Sequence, residues 1–379
     1  MKEKLKDPKI ILTILISFYI IFLGIKLYQD NFNLSRFIIF GDKFVNKKYF
    51  SDNTIVAPNS YGYDGQFYYR LALDPFTQKE TDYGITLDQP ALRHQRILYP
   101  LIAWVFSFGN SNIVPFIMII INIASLFGLI WLAIKLIKDN NQPVWLSVLI
   151  PLYPAFIIAL SRSLTEILAS FLLIGGYLLF SRKKYYFAAI LFTLAVLARE
   201  TTLIFPSVLS LYFFICFLFN KNRTEILKSL LFFLPFAVFI IWQLILYKIW
   251  GQLPFLISSG HNFSFPLKGL EYIFYIKTIA TKLRVFEVIY LIGVIIFGAM
   301  NFKKVSDWPL KLTWLSYVIL ALFYSKWIWA EDFTFFRAFT ELYIFSFFLI
   351  IKGDNQKIKK WLFFSTIAMV GVVLLKILI

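Results

Sequence analysis

RILYPLIAWVFSFGNSNIVPFIMIIINIASLFGLIWLAI, residues 96–134, is the stretch whose reading decides the topology of the chain. Its second part, Ile113 to Ile134, is long enough to cross a bilayer, which takes about 20 apolar residues. Its first part, Arg96 to Phe108, is apolar for only thirteen residues before GNSN at 109–112 interrupts it. If the short piece crosses, every later basic cluster lies outside; if it is re-entrant or interfacial, all of them lie inside. Those clusters are Lys135/Lys138, Arg182/Lys183/Lys184, Lys221/Arg223/Lys228, Lys303/Lys304/Lys311 and Lys352/Lys357/Lys359/Lys360. Cytoplasmic loops carry the excess of Lys and Arg, so the non-crossing reading is selected.

Working outward, apolar runs of similar length recur along nearly the whole chain, as 59% hydrophobic residues, 16% charged residues and a mean hydropathy of +0.72 require. Such a composition excludes soluble folds and predicts an all-α polytopic membrane protein, a single domain over residues 1–379. The spans expected are 10–28, 113–134, 144–160, 166–180, 185–198, 201–219, 226–250, 285–300, 308–325, 334–351 and 361–379, eleven in all. Lys2, Lys4, Lys6 and Lys9 put the N-terminus in the cytoplasm, so the C-terminus is external and the expected location is the plasma membrane. The first run, Ile10 to Tyr28, is too long for a signal peptide and lacks a small-residue cleavage site. Two spans, 166–180 and 185–198, are short for a crossing and call for local thinning or a broken neighbour. Residues 29–95 read as a long external loop, with an interfacial helix around Leu34 to Val45; Glu271 to Arg284 reads as a second, basic interfacial helix. The formal charge of +17 is spread over short loops, unlike the contiguous basic face nucleic acid requires. Two histidines and one cysteine, Cys216, argue against a dedicated zinc site.

The external loop holds the most chemically specific segment, YGYDGQFYYRLALDP at 61–75. Asp64 is the candidate catalytic residue, a carboxylate whose apolar surroundings would bring its pKa toward the operating pH; the alternative is an Asp that organises a Gly-containing turn. Tyr63, Gln66 and Tyr68 are the candidate binding residues beside it; the Tyr and Phe rings here, with Phe67 and Tyr69, make flat walls suited to a sugar ring or to the membrane interface, and an interfacial aromatic belt is the competing reading. The topology puts most other unusual polar residues on the same side: Arg93, His94, Arg96, Arg162, Glu166, Arg199, Glu200, His261, Glu331, Asp332 and Arg337. Ionisable groups near a membrane are costly and usually face a cavity or a partner, so this shared side argues for one polar site. Of these, Arg93, Arg96, Glu166, Arg199, Glu200, His261, Asp332 and Arg337 are the candidate substrate-binding residues. The competing readings are plain: arginines that snorkel to headgroups, structural ion pairs at Arg162 and at Arg199–Glu200, and a capping box in Ser163-Leu164-Thr165-Glu166.

YDGQFYYRLALDP at 63–75, QRILYPLIAW at 95–104, SLTE at 163–166 and LARETTL at 197–203 together resemble the GT-C superfamily of integral membrane glycosyltransferases, in particular mannosyltransferase-like members such as the GPI mannosyltransferases. The likeness covers most of the first 205 residues; beyond them the chain matches only in being hydrophobic. The resemblance implies a polyprenyl-phosphate sugar as donor, a lipid- or glycan-linked acceptor, transfer that usually inverts, and an active site on the external face. It also implies that Asp64 is the catalytic base. Many members carry a paired acidic signature in this loop, whereas here Gly65 follows Asp64, which leaves open whether a divalent metal takes part and whether Asp74 has a role. The main alternative is a transporter or flippase of a lipid-linked sugar that forms no bond; a non-catalytic scaffold is the third.

Overall fold

The computed structural model of the chain describes residues 7–273, 279–330 and 332–378. The long N-terminal helix α1 (Pro8–Gln29) leads into a folded segment that holds α2 (Gly65–Leu73) and α3 (Pro90–Gln95). Then come α4 (Leu98–Ser107), α5 (Val114–Asp139), α6 (Pro154–Ser161), α7 (Glu166–Ser181) and α8 (Tyr185–Ala198). A long hairpin of α9 (Ile204–Asn220) and α10 (Arg223–Trp250) is followed by α11 (Pro254–Asn262). The remainder consists of α12 (Ile279–Phe302), α13 (Trp308–Leu322), α14 (Lys326–Ala330), α15 (Asp332–Ala338), α16 (Thr340–Lys352) and α17 (Gln356–Leu378).

Six helical segments among the described residues are long and apolar enough to cross a membrane: Pro8–Gln29, Val114–Asp139, Glu200–Asn220, Arg223–Trp250, Leu283–Phe302 and Gln356–Leu378. The chain is a multi-pass membrane protein. Large apolar side chains such as Ile20, Ile21, Leu211, Phe219, Leu230 and Phe364 remain exposed on these helices, as lipid-facing surfaces do. Among the described helices longer than ten residues, α7 and α16 are the ones buried almost all round. They form the centre, where Tyr177 stacks on Phe348 at 4.3 Å between ring centroids. Because neighbours surround them, they can be apolar on every face without meeting lipid.

Several expected elements differ. Residues 144–160 are not one span: a short 3-10 turn at Val144–Val148 gives way to α6, because Pro151 and Pro154 cannot continue a helix through their positions. Residues 334–351 break at Phe339, between α15 and α16. The expected interfacial helix at Leu34 to Val45 is a 3-10 turn at Leu34–Phe37 followed by strand β1 (Phe40–Gly41), which pairs in parallel with β2 (Val56–Ala57). Strands β3 (Thr81–Asp82) and β4 (Ile85–Thr86) form a small antiparallel hairpin. Residues 29–95 are therefore a folded cap built around α2, every residue of which is buried. Of the expected basic helix at Glu271 to Arg284, residues 274–278 lie outside the described residues; a 3-10 turn ends at Ile273 and α12 begins at Ile279. The short apolar piece after Arg96 is the ten-residue α4, about 15 Å at 1.5 Å per residue, half the hydrocarbon thickness.

The cap meets the bundle closely at Gly65. A Cβ there would collide with the carbonyl oxygen of Arg162 and come within 2.9 Å of that of Ile38. Both obstacles are backbone, so neither can swing aside, and a second acidic residue at this position has no room. Gly65→Ala is expected to cost on the order of 1–3 kcal/mol through overpacking and to lower the melting temperature in detergent.

Candidate functional site

Asp64 sits at the N-cap of α2 without capping it: its side chain makes no hydrogen bond to the helix. Both oxygens turn to arginines instead, with Arg93 Nη1 donating to Oδ1 at 2.8 Å and Arg337 Nη2 to Oδ2 at 2.7 Å. Arg93 also clamps Asp88 through Nε and Nη2, both at 2.7 Å, with its guanidinium 4.2 Å above the Phe67 ring. Arg337 donates through Nε to Glu166 Oε1 at 2.6 Å and through Nη1 to the Tyr63 hydroxyl at 3.1 Å. The same Glu166 oxygen accepts from Arg199 Nη1 at 2.6 Å, and Arg199 continues through Nε to Glu341 at 2.9 Å. Its Nη2 donates to the Arg337 carbonyl at 2.7 Å. Opposite signs thus alternate along one chain: Asp88, Arg93, Asp64, Arg337, Glu166, Arg199, Glu341. Beside it Arg96 grips Glu200 with Nε at 2.9 Å and Nη2 at 2.7 Å, while its Nη1 reaches the Tyr68 hydroxyl at 3.3 Å.

Helix ends explain how one network gathers so many charges. Asp64, Glu166 and Glu341 stand at or next to the first residues of α2, α7 and α16, and Glu200 opens the 3-10 turn before α9. Arg93 lies in the last turn of α3 and Arg337 in that of α15, while Arg96 and Arg199 cap the C-termini of α3 and α8. Anions at N-termini and cations at C-termini are each favoured by the helix dipole.

A cavity of about 810 Å³ opens on this network. Tyr63, Asp64, Tyr68, Arg93, Arg96, Glu166, Arg199, Glu200 and Arg337 line its polar end, as does Asp88. The other end is apolar, walled by side chains of α9, α10, α11 and α13 that include Ile204, Val208, Phe239, Phe255 and Leu320. With Phe67, which also lines it, ten of the residues singled out in the sequence therefore share one cavity. Gln66 does not: it is fully buried, receives the Gly41 N–H at 3.1 Å and donates to the Tyr61 carbonyl at 2.7 Å, bracing the cap. Tyr69 likewise packs on Phe40 and Phe50. The side chains of His261 and Asp332 lie outside the described residues, as does Glu331.

Three other expectations are revised. The Ser163 to Glu166 capping box does not form; Thr165 is the N-cap and makes no side-chain bond, because Glu166 is turned inward to the arginines. Arg199 pairs with Glu166 and Glu341, not with its neighbour Glu200, which belongs to Arg96. The Asp64 pKa does not approach neutrality: burial pushes it up, but Arg93, then Arg337 and Arg96, outweigh burial and hold it below the ordinary carboxylate range. With a quarter of the side chain exposed, Asp64 is an anion over the whole physiological range. No group of three His, Cys, Asp and Glu side chains suited to a metal forms among the described residues.

Asp88 and Glu341 were not singled out in the sequence. The only signal for Glu341 is its spacing of four residues after Arg337, across a break that the apolar pattern hides. His94 turns away from the cavity: its Nδ1 donates to the Pro90 carbonyl at 2.8 Å and its ring lies 5.3 Å from that of Trp250. Burial pushes its pKa down from 6.5 to about 4. Since the unfolded chain binds this proton more readily, His94 contributes stability above pH 6.5 that is lost as pH falls through about 4. Melting curves from pH 7 to 4 are expected to fall more steeply for the wild type than for His94→Asn.

Fold and site define a helical multi-pass membrane protein with one charge-balanced cavity that is polar at one end and apolar at the other. In comparisons with known proteins, no family model, no curated protein and no solved structure matches this chain.

Proposed function

We propose that the protein is a membrane glycosyltransferase of GT-C type, transferring a sugar from a polyprenyl-phosphate donor to a lipid- or glycan-linked acceptor on the external face. The observation that carries this reading is the two-ended cavity. A lipid-linked phosphosugar needs cations and hydrogen-bonding groups next to an apolar slot within the membrane, and this cavity supplies both. Asp64 takes the proton of the acceptor hydroxyl as that oxygen bonds to the sugar's anomeric carbon. The bond from that carbon to the phosphate oxygen breaks, and polyprenyl phosphate leaves, its charge stabilised by the cavity arginines. Between Arg93 and Arg337 alone, Asp64 is too weakly basic to do this well. An anionic donor beside it disfavours the charged carboxylate and raises its pKa, so the base strengthens when the substrate is present.

The test uses purified protein with radiolabelled polyprenyl-phosphate sugars and a cell lipid extract. Labelled, extractable product that depends on Asp64 supports the enzyme. In proteoliposomes, vectorial movement of the donor without product supports a flippase instead, and neither result supports a scaffold.

A further inference from the structure

The four arginines of the cavity are not equally neutralised. Arg93 bridges Asp64 and Asp88, Arg337 bridges Asp64 and Glu166, and Arg199 bridges Glu166 and Glu341. Arg96 pairs with one carboxylate, Glu200. Its remaining edge, Nη1, faces a neutral hydroxyl at 3.3 Å, longer than any of its ionic contacts. Arg337 also turns one edge, Nη1, to a hydroxyl, that of Tyr63 at 3.1 Å, and Arg199 turns Nη2 to a carbonyl, but each of these is already neutralised by two carboxylates, whereas Arg96 has one and an incoming anion there displaces only the Tyr68 hydroxyl.

Arg96 also stands at the head of an apolar track. Glu200, its partner, begins the 3-10 turn that runs into α9. From there Leu203, Ile204, Ser207, Val208 and Leu211 line the cavity. This spacing of three and four residues is one face of a helix. The face is partly open along its length, while Phe205, Pro206, Leu209 and Ser210 on the other side of α9 are buried. Exposure rises to 58% at Leu211, where the track reaches the lipid-facing surface. Across from it, Ser316 and Leu320 of α13 line the same cavity, and the Tyr317 hydroxyl holds α13 to the Thr201 carbonyl at 2.8 Å. Leu203 to Leu211 spans about 12 Å along the helix.

Resting on the donor class proposed above, we propose that Arg96 is the residue that receives the lipid phosphate and that the α9 face from Leu203 to Leu211, opposed by α13, is the channel for the lipid chain. The phosphate bonds to Arg96 Nη1 while Nε and Nη2 stay on Glu200. The chain lies along α9 and leaves between α9 and α13 into the bilayer. The sugar is then directed to the Asp64 end.

The test is binding of sugar-free polyprenyl monophosphate to the purified full-length protein in detergent, using a long-chain form and a water-soluble short-chain form. The wild type should bind the long form at least tenfold more tightly. Arg96→Gln should weaken both forms tenfold or more. Val208→Asn combined with Leu211→Asn should weaken the long form to the level of the short form and leave the short form unchanged. These two side chains are partly or largely exposed, so this variant decides the matter even if Arg96→Gln does not fold. Equal wild-type affinity for the two forms, an α9 variant that keeps the long-chain advantage, or a folded Arg96→Gln with unaltered affinity overturns the assignment and leaves the glycosyltransferase reading standing. A wild type that binds neither form overturns the assignment and the donor class together.

Discussion

Asp64→Asn is expected to abolish sugar transfer, by at least about 10²–10⁴-fold, the range for removing a positioned general base. The amide has the size and shape of the carboxylate but cannot take the acceptor proton. Its single amide oxygen can accept from only one of Arg93 and Arg337 and its NH2 faces the other, but both arginines keep Asp88 and Glu166 as partners. The variant should therefore remain folded and still bind the donor. A transfer assay beside a binding measurement separates the two effects, and a lost kcat with donor affinity retained is the expected pattern. Full transfer by Asp64→Asn would rule out its role as the base.

Arg337→Met is expected to damage both stability and activity. Arg337 ties Asp64, from the cap, to Glu166, at the head of the central helix α7, and its own carbonyl receives Arg199. Glu166 is fully buried, and its Oε2 accepts no hydrogen bond from a described residue, so it depends on the two arginines at Oε1. Removing one partner of a buried ion pair typically costs about 3–5 kcal/mol, which a lower melting temperature in detergent should register. The pH dependence carries a second signature. In the wild type the depressed Asp64 pKa means that its contribution to stability is complete above the ordinary value of 3.8 and lost only as pH falls below it. Without Arg337, one of the three cations that oppose the effect of burial is gone and the pKa rises. The acid limb of the transfer rate should then move to higher pH in Arg337→Met, and an unmoved limb would separate Asp64 from the rate.

The arrangement of helices was partly legible from hydrophobic runs alone. The long segments at 8–29, 114–139, 200–220, 223–250, 283–302 and 356–378 satisfy a length requirement that each run meets by itself. The break at 149–153 is marked by Pro151 and Pro154, but the apolar run through 144–160 masks it, and the break at Phe339 has no Pro or Gly to mark it. Residues 29–95 looked like a loop because their polar composition hides a small cap, whose short strands and buried α2 form only against the bundle.

The sequence by itself determined that this is a helical membrane protein and which residues were out of place in an apolar chain: Asp64, Arg93, Arg96, Glu166, Arg199, Glu200 and Arg337 all reach the cavity. Burying an ionisable group is so costly that each one marks itself against the background. Only the tertiary structure decided who pairs with whom. Glu166 meets Arg337 across 171 positions and Arg96 meets Glu200 across 104, and no local pattern encodes separations of that size. It also decided that Gln66 braces the cap and that α9 supplies an apolar wall, because which face of a helix is covered depends on the neighbours that pack against it.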